Sequence, residues 1–268
     1  MAAMYPTALE DHLSARRDAG RKLLVPYVTG GLGRDWLRLV EAVVAAGADA
    51  VEIGIPFSDP SIDGPTIQEA SARALAGGAT PASVLDALGQ VRLGVPLVAM
   101  TYYNLVFRAG HQHFATDLAA AGFSGAIVSD LPPELAADWV AGADEAGVAN
   151  ILLVAPVTSD DRIKAIAERT RGFVYGVSVM GTTGERKALS GTASQVAKRV
   201  KAQTDRPVLI GFGVSSAGHA RDIARDADGV VVASALMRRV LDGVDVDGAA
   251  ELIARMRAAL DELAPAAR

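Results

Sequence analysis

Two carboxylates stand out because of where they sit. Glu52 lies inside the apolar run Val51–Ile55, and Asp63 closes a Pro- and Gly-rich loop, FSDPSIDGP (Phe57–Pro65). An ionised carboxylate inside an apolar strand is costly unless it is paired. No cation neighbours Glu52 in the sequence, so desolvation should raise its pKa, which prepares a carboxyl to give and take protons near neutrality. The competing reading is a structural Glu paired with an Arg from elsewhere in the chain. Asp59, between Ser58 and Pro60, has the setting of a turn residue. Asp63, before Gly64-Pro65, taken alone has the setting of the N-cap of a helix starting near Thr66. Taken together, Glu52 and Asp63 form a candidate carboxylate pair for acid–base chemistry.

A second constellation lies late in the chain: GTTGER (Gly181–Arg186), GFGVSS (Gly211–Ser216) and VVVASAL (Val230–Leu236). Glycines at strand ends let backbone N–H groups approach phosphate oxygens, and a following helix N-terminus adds partial positive charge. Ser234 can add a hydroxyl there, and Ser215 can cap the next helix. Other chemistries are poorly served. There is no cysteine for a thiolate nucleophile or cluster. Lys187 falls in a loop rather than on a buried strand, against a Schiff base. The four histidines fall in or beside predicted helices, and His111 and His113 do not share a helix face, against a zinc site. No dinucleotide or P-loop fingerprint occurs in the first strand–helix unit. The residues point to carboxylate acid–base chemistry on a small phosphorylated molecule.

The elements that must hold these groups are visible as a rhythm. Ala45–Gly54, Ala120–Asp130 and Glu145–Ala155 each read as a helix end, a glycine and an apolar strand, with Gly47, Gly122 and Gly147 as left-handed C′ residues. Further strands of the same kind are Lys22–Thr29, Pro96–Thr101, Phe173–Val179, Pro207–Gly211 and Gly229–Ala233, making eight in all. Thr80-Pro81 marks a helix start. Thr158 with Asp161, and Thr7 with Glu10, have the spacing of capping boxes. Trp36, Leu39, Val40, Val43 and Val44 form the sheet-facing stripe of the first crossover helix. Eight strands alternating with helices predict an α/β fold, a (β/α)8 barrel forming one domain over 1–268, with the barrel at about 22–260 and an extra helix at about 7–20 covering its bottom. A doubly wound open sheet is the alternative. The active site of such a barrel lies at the strand C-terminal ends.

The 268 residues are 50% apolar and 21% charged with a net charge of −5. That composition excludes a disordered polyelectrolyte and argues against a nucleic-acid partner. No run approaches a membrane span, and no signal peptide is visible, so a cytoplasmic location is expected.

PYVTGG (Pro26–Gly31), VEIGIPFSDPSIDGPTIQEA (Val51–Ala70), MTYYNLVF (Met100–Phe107), SDLP (Ser129–Pro132), GTTGER, IGFGVSS and ASAL (Ala233–Leu236) closely resemble the tryptophan synthase alpha chain family. The match runs in order from about Leu9 to about Leu260. The resemblance implies a lyase that splits indole-3-glycerol phosphate into indole and glyceraldehyde 3-phosphate. It implies that Glu52 shuttles protons and that Asp63 binds the indole N–H. Tyr175 matches an active-site tyrosine, and Tyr27, Tyr102 and Phe212 match positions lining the indole pocket. Thr183 and Gly184 match a closing loop, and Gly184, Gly213 and Ser234 match phosphate-binding positions. Ala233 stands where the family usually has Gly, placing a methyl group near the phosphate and predicting weaker or shifted binding rather than none, provided φ there is negative. Ser129 stands where Pro or Ala is expected, and no role is assigned to it. The family also implies a beta-chain partner in an αββα complex, contacted through Phe57–Ile62 and Asn104–Phe107. Pyridoxal phosphate would belong to that partner, and no cofactor is expected on this chain. The alternatives within reach are a stand-alone lyase and a weakly catalytic subunit that mainly activates the beta chain.

Overall fold

The computed structural model describes residues 8–177, 186–211 and 213–263. Nine strands occur among them: β1 (Leu23–Thr29), β2 (Val51–Gly54), β3 (Leu97–Thr101), β4 (Phe123–Val128), β5 (Ala149–Asn150), β6 (Leu153–Val154), β7 (Val174–Val177), β8 (Val208–Gly211) and β9 (Gly229–Val232). All pair in parallel, in the order β5-β4-β3-β2-β1-β9-β8-β7-β6. The two ends of that order are halves of one chain run. Ile151 N–H donates to Ala126 O of β4 at 2.9 Å, and Tyr175 N–H of β7 donates to Leu152 O at 3.1 Å. Continuity of the chain through Ile151 and Leu152 therefore joins the ends and closes a barrel. The fifth predicted strand appears as two because its first half pairs on one side and its second half on the other.

The helices are α1 (Ala8–Asp18), α2 (Trp36–Ala45), α3 (Pro65–Ala76), α4 (Pro81–Gly89), α5 (Tyr103–Ala109), α6 (His111–Ala120), α7 (Ala137–Ala146), α8 (Asp160–Arg169), α9 (Arg186–Lys201), α10 (Ala217–Ala224), α11 (Ser234–Leu241) and α12 (Val246–Asp261). Among the described residues none is long and apolar enough to cross a membrane. Alternate residues of each strand serve two cores, as strand geometry requires. Leu24, Val51, Ile53, Ala99 and Val174 pack outward against the helices. Leu23, Val25, Ala50, Val98, Ile127 and Leu209 fill the barrel with Leu9 and Leu13 of α1. The expected bottom cover is therefore a plug: a Cβ on Gly125 or Gly172 would lie 2.6 or 2.8 Å from the Leu9 Cδ2.

The local start and stop signals hold in most places. Gly47, Gly122 and Gly147 all have positive φ. Thr80 caps α4 in a reciprocal box with Ser83. At α8 the N-cap is Ser159 rather than Thr158. The Thr158 hydroxyl instead accepts from Ala155 N–H at 3.0 Å, closing the turn before the helix. Glu10 accepts from Gly172 N–H and from Arg206, while Thr7 lies outside the described residues.

Asp49, just before β2, is fully buried at the barrel's N-terminal end. Its Oδ1 accepts from Arg16 at 2.9 Å and Arg21 at 2.6 Å. Its Oδ2 accepts from Leu24 N–H at 2.9 Å and Arg257 at 3.2 Å. One carboxylate thus ties α1, β1 and α12 together at the end opposite the strand C-termini.

Candidate active site

Glu52 is fully buried. Its neighbours Val51 and Ile53 belong to the outer core and Ala50 to the inner one, so alternation turns Glu52 into the barrel. Its register partners are Tyr27 and Val98. Among the described residues neither carboxyl oxygen has a hydrogen-bond partner, and no described Arg neutralises it. Desolvation, followed by the charge of Asp63, pushes its pKa up to about 8.

Asp63 is not a helix cap. Helix α3 starts at Pro65 with Gly64 as N-cap and no capping side chain. The carboxyl is instead held by Tyr102, whose hydroxyl donates to Oδ2 at 2.8 Å. The same hydroxyl accepts from Ile62 N–H at 3.3 Å. The Tyr102 ring stacks on Phe57, with centroids 5.1 Å apart and planes at 26°. One phenol therefore grips both ends of the loop between β2 and α3. Burial raises the Asp63 pKa, and the Tyr102 hydrogen bond opposes that rise. The two carboxyls are close enough for Tyr27 and Tyr175 each to sense both, whereas Tyr102 senses Asp63.

Tyr27 and Tyr175 complete the wall. Each lies over a glycine of the neighbouring strand: a Cβ on Gly54 would sit 1.8 Å from the Tyr27 hydroxyl, and one on Gly211 would sit 2.0 Å from that of Tyr175. These close approaches explain why both strands end in Gly. Burial, then nearby carboxylate charge, raises the pKa of both phenols well above the ordinary value, so they stay protonated. Three of the four predicted aromatics thus gather around Glu52 and Asp63, and Phe212 lies outside the described residues.

The anion end is partly described. Gly213 has φ 78°, a left-handed conformation that favours glycine. Helix α10 is capped by Ser216, whose side chain accepts from His219 N–H; Ser215, the predicted cap, hydrogen-bonds the His219 ring instead. Ala233 is the N-cap of α11 at φ −108°. The negative φ keeps Ala233 out of the left-handed region that favours glycine. Ser234 opens α11 and is exposed, at a helix start whose first amides have no intrahelical acceptor. Thr183 and Gly184 lie outside the described residues.

Two features escaped sequence reading. The Asp49 cluster joins partners far apart in the chain; its one local signal is an Asp entering an apolar strand. Ser129 Oγ is a buried hydroxyl without a partner among the described residues, at a position where the sequence showed a departure from the expected Pro or Ala but no role.

A closed parallel barrel with a desolvated carboxyl and a tyrosine-held second carboxyl at one mouth, and a helix N-terminus on a late strand, has the architecture of an acid–base enzyme of the (β/α)8 class. The comparisons narrow this class. The family model for the tryptophan synthase alpha chain matches residues 13–268. A tryptophan synthase alpha chain from Thermobifida fusca is 42% identical over 94% of this chain and 99% of its own length. One from Halorhodospira halophila is 44% identical over 94% and 93%. Among solved structures, a tryptophan synthase from Mycobacterium tuberculosis superposes with TM-score 0.88 at 39% identity, covering 96% of this chain and 99% of that one. The alpha subunit from Legionella pneumophila gives TM-score 0.87 at 32% identity, over 97% and 100%. The chain belongs to the tryptophan synthase alpha chain family, which catalyses the lyase cleavage of indole-3-glycerol phosphate.

Proposed function

We propose that Glu52 and Asp63 divide this cleavage between them. Protonated Glu52 donates to indole C3 while Asp63, as a carboxylate, holds the ring N–H and stabilises the cationic indolenine. The resulting Glu52 carboxylate then takes the proton of the glycerol hydroxyl as the carbon–carbon bond breaks, giving indole and the aldehyde and returning Glu52 to its starting state. The observation that carries this reading is the buried Glu52 carboxyl, without a partner among the described residues and with its pKa pushed up to about 8, beside a second carboxyl engaged by Tyr102. Environment thus splits two like groups into two roles.

In this reading Tyr27, Tyr102, Tyr175 and Phe212 form the ring pocket. Thr183 and Gly184 belong to a loop that closes over it. Gly184, Gly213, Ala233 and Ser234 receive the phosphate, and the chain forms one domain in the cytoplasm.

The partner is a beta chain in an αββα assembly, to which the pyridoxal phosphate belongs; no cofactor is assigned to this chain. Phe107, Leu135 and Val157 are exposed by 62%, 72% and 94%. They follow β3, β4 and β6, on the same end of the barrel as the Phe57–Ile62 loop. Apolar side chains grouped on one end favour a protein surface docking there. The deciding experiment is release of indole and glyceraldehyde 3-phosphate from indole-3-glycerol phosphate, with and without a beta chain. Slow release that the partner accelerates supports the reading. Partner-independent fast release overturns its assembly part, and no release overturns the chemistry.

A further inference from the structure

A hydroxyl that the proposed chemistry does not use lies beside the ring pocket. Along β4, Gly125 abuts Leu9 in the barrel and Ile127 belongs to the inner core, whereas Ala126 and Val128 pack outward. The alternation turns Ser129, the next residue, inward at the C-terminal mouth. Its N–H donates to Thr101 O at 3.0 Å, which sets it beside Tyr102, the residue that holds Asp63. The Ser129 main-chain donor is therefore spent. Its Oγ is buried with no protein partner among the described residues.

The surroundings offer little to satisfy it. The inward-facing neighbours on β3 and β4 are Met100 and Ile127, and the adjacent phenol of Tyr102 is committed to Asp63 and Ile62. A polar group left unpaired out of water is costly, so a ligand atom that pairs it gains binding that an apolar edge cannot match. Indole has a single polar atom, its N–H, which the proposed mechanism assigns to Asp63. Nothing on an unsubstituted ring remains for Ser129.

We infer that Ser129 is a specificity-determining residue that admits an indole ring bearing a second hydrogen-bonding group, a hydroxyl on its benzo edge. The inference rests on the proposed placement of the ring between Asp63 and the tyrosines. It adds a substituent subsite to that pocket and leaves the acid–base steps unchanged.

The test uses the full-length chain and its Ser129→Ala variant. Calorimetry measures binding of indole and of the 4-, 5-, 6- and 7-hydroxyindoles, and the same rings are then condensed with glyceraldehyde 3-phosphate in the reverse reaction. The expected result is that, for one isomer, affinity and kcat/KM relative to indole fall at least about tenfold in Ser129→Ala, while indole itself is bound as well or better. Ratios that agree within about twofold for every isomer overturn the inference, as does a uniform loss for all rings including indole. If Ser129→Ala fails to fold, Ser129→Cys, close in size and a weak hydrogen-bonding group, carries the same comparison. Wild type that binds the rings but condenses none of them refutes the lyase reading, while the binding ratios still decide the role of Ser129. Wild type that binds no ring refutes both.

Discussion

Replacing Glu52 by Gln should change how stability depends on pH, and the size of the change follows from the site. In the unfolded chain this carboxyl titrates at 4.5, and in the fold burial pushes it up to about 8. The native state therefore holds the proton more tightly, so no penalty is felt below about 4.5. The penalty grows as pH rises between the two values and is complete above about 8. At about 1.4 kcal/mol per pKa step, the full effect is about 5 kcal/mol, comparable to the lower end of the whole stability of a folded domain. Gln has nearly the same shape and never ionises. The stability of Glu52→Gln minus that of wild type should therefore rise by several kcal/mol between pH 5 and pH 9. Other titrating groups are common to both proteins and largely cancel. Urea unfolding at pH 5, 7 and 9, with both proteins in the same buffers, measures the difference directly. A difference that stays constant within about 1 kcal/mol, the uncertainty of such extrapolations, would refute desolvation of Glu52 and with it the acid–base assignment. Activity gives a second reading: turnover should decline above about pH 8 as Glu52 loses its proton, and Glu52→Gln should lose about two to four orders of magnitude in indole formation.

Two further perturbations address the residues around this pair. Tyr102→Phe keeps the ring that stacks on Phe57 but removes the hydrogen bond that holds the Asp63 pKa down. The acidic limb of the kcat profile should therefore move to higher pH, with turnover at neutral pH reduced; an unshifted limb would remove Tyr102 from that role. Asp49→Ala leaves Arg257 buried without one of its partners and frees Leu24 N–H. A loss of about 3–5 kcal/mol in unfolding free energy is expected, read by denaturant titration, and a loss under about 1 kcal/mol would mean that solvent replaces the carboxylate.

The sequence by itself determined what depends on neighbours along the chain. Short continuous apolar runs, three of them preceded by a glycine that accepts positive φ (Gly47, Gly122 and Gly147), specify buried parallel strands entered from helix ends, and alternation then decides which side chains face the barrel. Glu52 could be singled out on those grounds, because a carboxyl in such a run is either paired or desolvated. The choice between those two outcomes lay beyond it. Whether an Arg reaches Glu52 depends on which strands become neighbours when the ring closes, and among the described residues the carboxyl has no partner. Asp63 shows the same limit: its sequence setting favours a helix cap, yet the side chain turns to Tyr102, on another strand's end. The N-cap positions at Ser159 and Ser216, one residue beyond Thr158 and Ser215, mark a smaller version of this limit: the Thr158 and Ser215 hydroxyls find other partners, and the turn geometry fixes which residue opens each helix. Ser129 and Asp49 were settled wholly by tertiary structure. Burial and partnership across a closed barrel are set by strand register and by helices distant in the chain, whereas periodicity records only the direction in which a side chain leaves its own backbone.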